Sequence, residues 1–146
     1  MSQHAEFIQC VLELMGTPYI WGGKYPASGL DCSGLVTHAL HKVTGRDWRA
    51  THNTDKLWTG LPEPRFPRCG DLAFYGGKSE TDVEHVMVVL PIDGDDGPQE
   101  LVIGACGGDS RTTSLREARR RGAKVQVRQG VHYRDDFRGF RKLPID

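Results

Sequence analysis

The chain has 146 residues, 38% of them hydrophobic and 26% charged, which suffices for one domain with a buried core and excludes a disordered segment. Nineteen Lys and Arg balance nineteen Asp and Glu, so neither a globally basic nucleic-acid binder nor a globally acidic protein is indicated. No apolar run reaches the roughly 20 residues of a membrane-spanning helix, and the opening Met1-Ser2-Gln3-His4-Ala5-Glu6 lacks the basic flank and apolar stretch of a secretory signal.

Phe7, Ile8, Val11, Leu12 and Met15 follow helical spacing, and Gly16-Thr17-Pro18 ends that helix. A loop rich in Gly, Pro and aromatic residues runs from Pro18 to Leu30. Leu35, Val36, Ala39, Leu40 and Val43 then repeat the helical spacing up to Gly45, and Thr51 to Trp58 predicts a short third helix closed by Gly60. Beyond it the period changes. Leu72 and Phe74 alternate with Asp71, Ala73 and Tyr75 as in a short strand, whereas the β-branched run Val86 to Leu90 predicts a strand buried on both faces. Asp93 to Pro98 reads as a turn and Leu101-Val102-Ile103 as the return strand. Ser114 to Arg121 predicts a capped helical turn, and Val125/Val127 and Phe137 to Leu143 predict further strands. Helices first and an antiparallel sheet after them give an α+β domain. No repeat, linker or low-complexity stretch divides the chain, so one domain over residues 1–146 is expected.

The neutral total conceals an asymmetry. Eight acidic residues and no Lys or Arg lie between Glu80 and Asp109, while eleven basic residues lie between Arg111 and Lys142. Solvated loops and strand faces account for this pattern; a basic flank that meets an anionic polymer or a partner subunit is the sharper reading. The run Arg119-Arg120-Arg121 by itself reads as a solvated face rather than a nucleic-acid site. Trp48 and Trp58 are expected to cover the core, and Trp21 and Tyr25 either pack within their loop or meet a substrate.

Cysteines stand at positions 10, 32, 69 and 106, with no C-x-x-C pair and no Cys/His cluster of zinc-finger spacing, so no metal or other cofactor is implied. Cys10 falls on the apolar side of the first helix as a small hydrophobe, and nothing around Cys69 suggests chemistry. Cys32 differs. Asp31-Cys32-Ser33-Gly34-Leu35 opens the second helix, where unpaired N–H groups and the helix dipole favour negative charge. That setting is expected to lower the thiol pKa and to supply donors to an oxyanion beside the sulfur. A buried structural cysteine is the ordinary alternative, but the Gly-rich loop before it and the small Ser33 and Gly34 after it leave room for a ligand. A thiolate nucleophile needs a base to take its proton and return one to the leaving group. Among the six histidines, His4 is terminal, His38 and His41 ride further along the same helix, and His52 and His132 lie in loop or strand-edge positions. His85, at the start of the Val86–Leu90 strand, is the candidate base.

Gly16-Thr17-Pro18-Tyr19-Ile20-Trp21-Gly22-Gly23 followed by Asp31-Cys32-Ser33-Gly34-Leu35-Val36 strongly resembles the NlpC family of papain-like cell-wall peptidases. Gly70-Asp71-Leu72-Ala73-Phe74-Tyr75, then Glu84-His85-Val86-Met87-Val88-Val89, matches the second half of that pattern, in the same order. The resemblance implies a papain-like fold with the nucleophile helix packed on an antiparallel sheet. It also implies Cys32 as nucleophile, His85 as general base and Tyr19 as a residue lining the nucleophile pocket. Asp31 and Ser33 hold positions that in some members contact the free amino end of a stem peptide. The implied activity is hydrolysis of peptidoglycan stem peptides, commonly between D-glutamate and diaminopimelate. Val102 to Gly108 and Tyr133 to Gly139 look most like compact phage and prophage versions, which implies a place on a tail or tail-like particle, with tail proteins as partners and the cell wall as the site of action. An acyl transferase or amidase on the same Cys–His pair, and a tail component with a vestigial site, are the alternatives.

One position departs from the pattern. The family usually carries a third polar residue, often His, on the strand after the catalytic histidine, and here Gly104 stands there. The expected substitute is the Gly104 carbonyl or a water molecule, with Cys106 and Asp109 as other acceptors.

Overall fold

A computed structural model describes residues 2–90 and 101–145, so the turn read at Asp93 to Pro98 lies outside the described residues. The first helix, α1 (Gln3–Glu13), starts where the Ser2 hydroxyl accepts from the Ala5 amide at 3.1 Å, and it buries Phe7 and Val11. Cys10 packs half-buried against the same core. The aromatic loop then folds into a minimal hairpin, β1 (Lys24–Tyr25) with β2 (Gly29–Leu30), which its sequence does not announce. It leads into α2 (Cys32–Thr44), capped by Asp31 and closed by Gly45 at φ 77°. The third helix, α3 (Thr54–Gly60), begins later than Thr51 because the Asn53 side chain accepts from the Lys56 amide and fixes the start there.

Five strands follow: β3 (Leu72–Tyr75), β4 (His85–Leu90), β5 (Leu101–Cys106), β6 (Lys124–Gln129) and β7 (Phe137–Arg141). They form one antiparallel sheet in the order β6-β5-β4-β3-β7, with α4 (Leu115–Arg121), capped by Ser114, between β5 and β6. This is the α+β arrangement expected from the sequence.

The central strands are buried on both faces. Leu72, Phe74, Val86, Val88, Ile103 and Val125 face the helices in the main core together with Phe7, Val11, Leu35 and Leu40. Ala73, Tyr75, Met87, Val89, Val102 and Cys106 point the other way, under Val131, Tyr133, Phe137 and Phe140. The alternation read at β3 is therefore not an inside–outside pattern, because chain after β6 crosses the second face and covers it. Trp48 and Trp58 are buried as expected, and Arg141 stacks 3.5 Å above the Trp58 ring. Trp21 and Tyr25 are both 55% exposed, so neither is core.

Candidate active site

The site begins at a helix start locked by one carboxylate. Asp31 accepts from the Gly34 amide at 2.7 Å, the Ser33 hydroxyl at 3.3 Å and the Gly22 amide at 3.2 Å, which ties α2 to the preceding loop. The loop comes so close that a Cβ on Gly34 would lie 2.0 Å from the Gly23 carbonyl oxygen. Cys32 is the first residue of that helix. Its Sγ lies 3.8 Å from the Thr54 hydroxyl at the start of α3.

His85 opens β4, inside the sheet, with Tyr75 as its cross-strand partner. Its Nε2 lies 2.8 Å from the Tyr133 hydroxyl, and the Tyr75 ring packs against it at 5.6 Å between centroids. Tyr19 is placed by backbone bonds at the start of β6, Gly16 donating to the Val125 carbonyl and Tyr19 to that of Ala123 just before the strand. Its ring lies against Gly108, where a Cβ would come within 2.4 Å.

A cavity of about 800 Å³ is lined by Tyr19, Asp31, Cys32, Ser33 and His85 together, so all five residues singled out from the sequence meet in one place. Asp109, considered from the sequence as an acceptor for His85, lines it too, as do Thr54, Glu84 and Arg134, which carried no role in the sequence reading.

Burial dominates the electrostatics. The Cys32 thiol is pushed up to about 11, first by desolvation and then by the Asp31 carboxylate, against smaller opposing hydrogen bonds from Val86, Thr54 and Ser33. The acidification expected at the helix start is therefore reversed: burial of the thiol, reinforced by the Asp31 carboxylate at the same N-terminus, outweighs the helix dipole. Burial likewise lowers His85 to about 3, with Arg134 reinforcing the shift and Asp136 opposing it. Asp31 itself is raised from the ordinary carboxylate range by burial. At rest Cys32 is thus a thiol and His85 a neutral imidazole.

Among the described residues, a group other than the protein substitutes considered for the missing third side chain meets the His85 ring. The Tyr133 hydroxyl, not the Gly104 carbonyl, meets His85 Nε2. Asp109 is engaged elsewhere, accepting from the Arg111 amide at 2.8 Å and from the Arg111 and Arg121 guanidinium groups at 3.1 and 3.0 Å. Cys106 is buried on the second face, where Arg128 and Gln126 reach it with hydrogen bonds. Tyr133 was missed because it follows Gly104 by a whole helix and strand; only its place in a block resembling the family pointed to it.

The sequence profile of the NlpC/P60 family matches residues 16–138. The chain belongs to the NlpC/P60 family. Among curated proteins, the bifunctional muramidase/DL-endopeptidase CwlT of Bacillus subtilis is 38% identical over 80 residues, 54% of this chain and 24% of CwlT. The chain is short beside such relatives, the matched part being 14% to 31% of their length. Among solved structures, the NlpC/p60 domain of the peptidoglycan hydrolase SagA superposes with a TM-score of 0.60 and 26% identity over 96% of this chain and 98% of that one. RipD of Mycobacterium tuberculosis, described as a non-catalytic NlpC/p60 domain protein, superposes at 0.64 over 99% of both chains; at 19% identity it shows the fold alone.

Proposed function

We propose that this chain is a thiol peptidase that hydrolyses peptide bonds in peptidoglycan stem peptides. The observation that carries the reading is the convergence of Cys32 and His85 on one cavity at the start of α2. In this reading Cys32 Sγ attacks the peptide carbonyl carbon while His85 takes the thiol proton. The amine leaves with that proton, a thioester remains on Cys32, and water activated by His85 releases the acid. Backbone N–H groups at the first turn of α2 other than that of Gly34, which Asp31 holds, would donate to the tetrahedral oxyanion.

Substrate choice rests on the walls. Asp31 and Ser33 would receive the free amino end of a stem peptide, and Tyr19 would close the pocket over it. Family membership supports peptidoglycan as the substrate; the D-glutamyl–diaminopimelate bond is carried over from the family resemblance, the matched relatives including both a DL-endopeptidase, CwlT, and a murein DD-endopeptidase, MepH of Escherichia coli. Delivery on a phage tail, with action at the bacterial wall, belongs to the same proposal and is supported only by likeness of the C-terminal blocks to phage-encoded members.

The test is digestion of purified muropeptides with mass analysis of the fragments, beside casein. Cleavage at the D-glutamyl bond with casein intact is expected. Casein cleavage with muropeptides untouched overturns the substrate class, and an acyl-transfer product without hydrolysis overturns the reaction type.

A further inference from the structure

Gly104 leaves the strand beside β4 without the polar side chain that would orient His85. The space is not vacant. A Cβ on Gly104 would lie 2.5 Å from Met87 Sδ, so Met87 fills the volume into which a third residue on β5 would project. Met87 lies two residues after His85 on the same strand and the same second face.

The acceptor arrives from another element. After β6 the chain makes a single 3₁₀ turn, Val131–Tyr133, across the second face. The turn is fastened there by the Tyr75 hydroxyl, which donates to the Val131 carbonyl at 2.7 Å. Tyr133 packs edge-on against the Tyr75 ring at 5.4 Å, and the Arg128 guanidinium lies 5.9 Å from the centre of the Tyr133 ring. Its hydroxyl is thereby set 2.8 Å from His85 Nε2.

We propose that Tyr133 is the positioning residue for His85, taking over from outside the sheet the role that Gly104 has lost. The inference rests on the Cys32–His85 reading above. With Nε2–H donating to the Tyr133 oxygen, the tautomer is the one that leaves the Nδ1 lone pair to accept the thiol proton; donation the other way, from the hydroxyl to Nε2, would place the proton on Nδ1. When His85 takes the thiol proton, both ring nitrogens carry hydrogen and the Tyr133 oxygen still accepts. Burial raises the phenol well above its ordinary pKa, so the hydroxyl stays neutral throughout. A neutral acceptor orients the ring without drawing it toward imidazolium, as a carboxylate would.

The test is Tyr133→Phe, which keeps the ring packing and removes only the hydroxyl. Turnover of muropeptide is expected to fall about 10- to 100-fold in kcat, the loss of one buried hydrogen bond, with KM nearly unchanged. Ring ¹⁵N spectra of His85 give a readout that needs no turnover. Wild type should show the Nε2-protonated tautomer, and Tyr133→Phe should lose that preference. Identical His85 ring shifts in both proteins, or equal kcat values, overturn the proposal. If wild type shows no Cys32-dependent hydrolysis while the tautomer still depends on Tyr133, the peptidase reading fails and the positioning contact stands.

Discussion

At Cys32 burial holds the thiol up to about 11, and at His85 it holds the imidazole down to about 3, so between these values neither group carries charge at rest. In the proposed mechanism the proton then moves as the sulfur attacks, rather than in a preformed ion pair. The pH profile of kcat/KM is accordingly expected to lack an acid limb at the ordinary histidine value of 6.5, its acid limb lying well below it and its alkaline limb above 9. A limb at 6.5 in the free enzyme would contradict this electrostatic reading. Asp31→Asn keeps one acceptor oxygen for the Gly34 amide, gives up the acceptor of the Gly22 amide, and removes the charge that adds to burial in raising the Cys32 pKa. Alkylation of Cys32 by iodoacetamide at pH 8 should therefore be faster in Asp31→Asn than in wild type, measured by intact mass; an equal or slower rate removes Asp31 from the account. His85→Ala should lose about 100- to 10,000-fold in turnover, the usual worth of a general base.

The elements show how closely the site depends on the start of α2. Gly34→Ala would place a methyl group 2.0 Å from the Gly23 carbonyl oxygen, a backbone atom that cannot swing aside. Helix and loop must separate, at a cost of about 1–3 kcal/mol, and Cys32 moves with them. We expect Gly34→Ala to lower Tm by roughly 3–10 °C and to lower turnover as well. Gly60→Ala in α3, where a Cβ meets nothing within 4 Å, should do neither. A Gly34→Ala protein with wild-type Tm would mean that the loop is not pinned against the helix. The helices were legible from their spacing and capping residues: Asp31 and Gly45 bound α2 in both sequence and structure. The hairpin of β1 and β2 was not, since each strand has only two residues and no alternation can be read from them.

Across the whole molecule, what is local in sequence was readable and what is joined over long distances was not. Cys32 with Asp31 and Ser33, Tyr19, and His85 stand in short blocks, each carrying its own signal. Tyr133 reaches His85 only because β6 and the turn after it carry the chain across the second face, and no local pattern encodes that crossing. The charge asymmetry resolves partly in the same way: Arg111 and Arg121 pair with Asp109, and Arg134 lies 3.9 Å from Glu84, so part of the basic flank meets acidic residues of its own chain. Burial of histidines also gives the molecule a pH dependence. His38, His52 and His85 are all lowered in the fold, so below pH 6.5 the unfolded chain binds more protons and stability falls as pH drops. His85 alone contributes a slope of about 1.4 kcal/mol per pH unit while only its unfolded form is protonated. Asp31 and Asp71, raised by burial, oppose the trend at lower pH. Tm at pH 5 should therefore lie below Tm at pH 7.5, and scanning calorimetry showing no difference would contradict the buried, neutral state of these histidines.

The most direct measurement of the central claim compares muropeptide hydrolysis by wild type, Cys32→Ala and the Cys10→Ser, Cys69→Ser and Cys106→Ser variants, each first shown to be folded by its Tm. The account predicts that Cys32→Ala releases no cleavage fragments while the other three retain turnover. Fragments released by Cys32→Ala at the wild-type rate would contradict it.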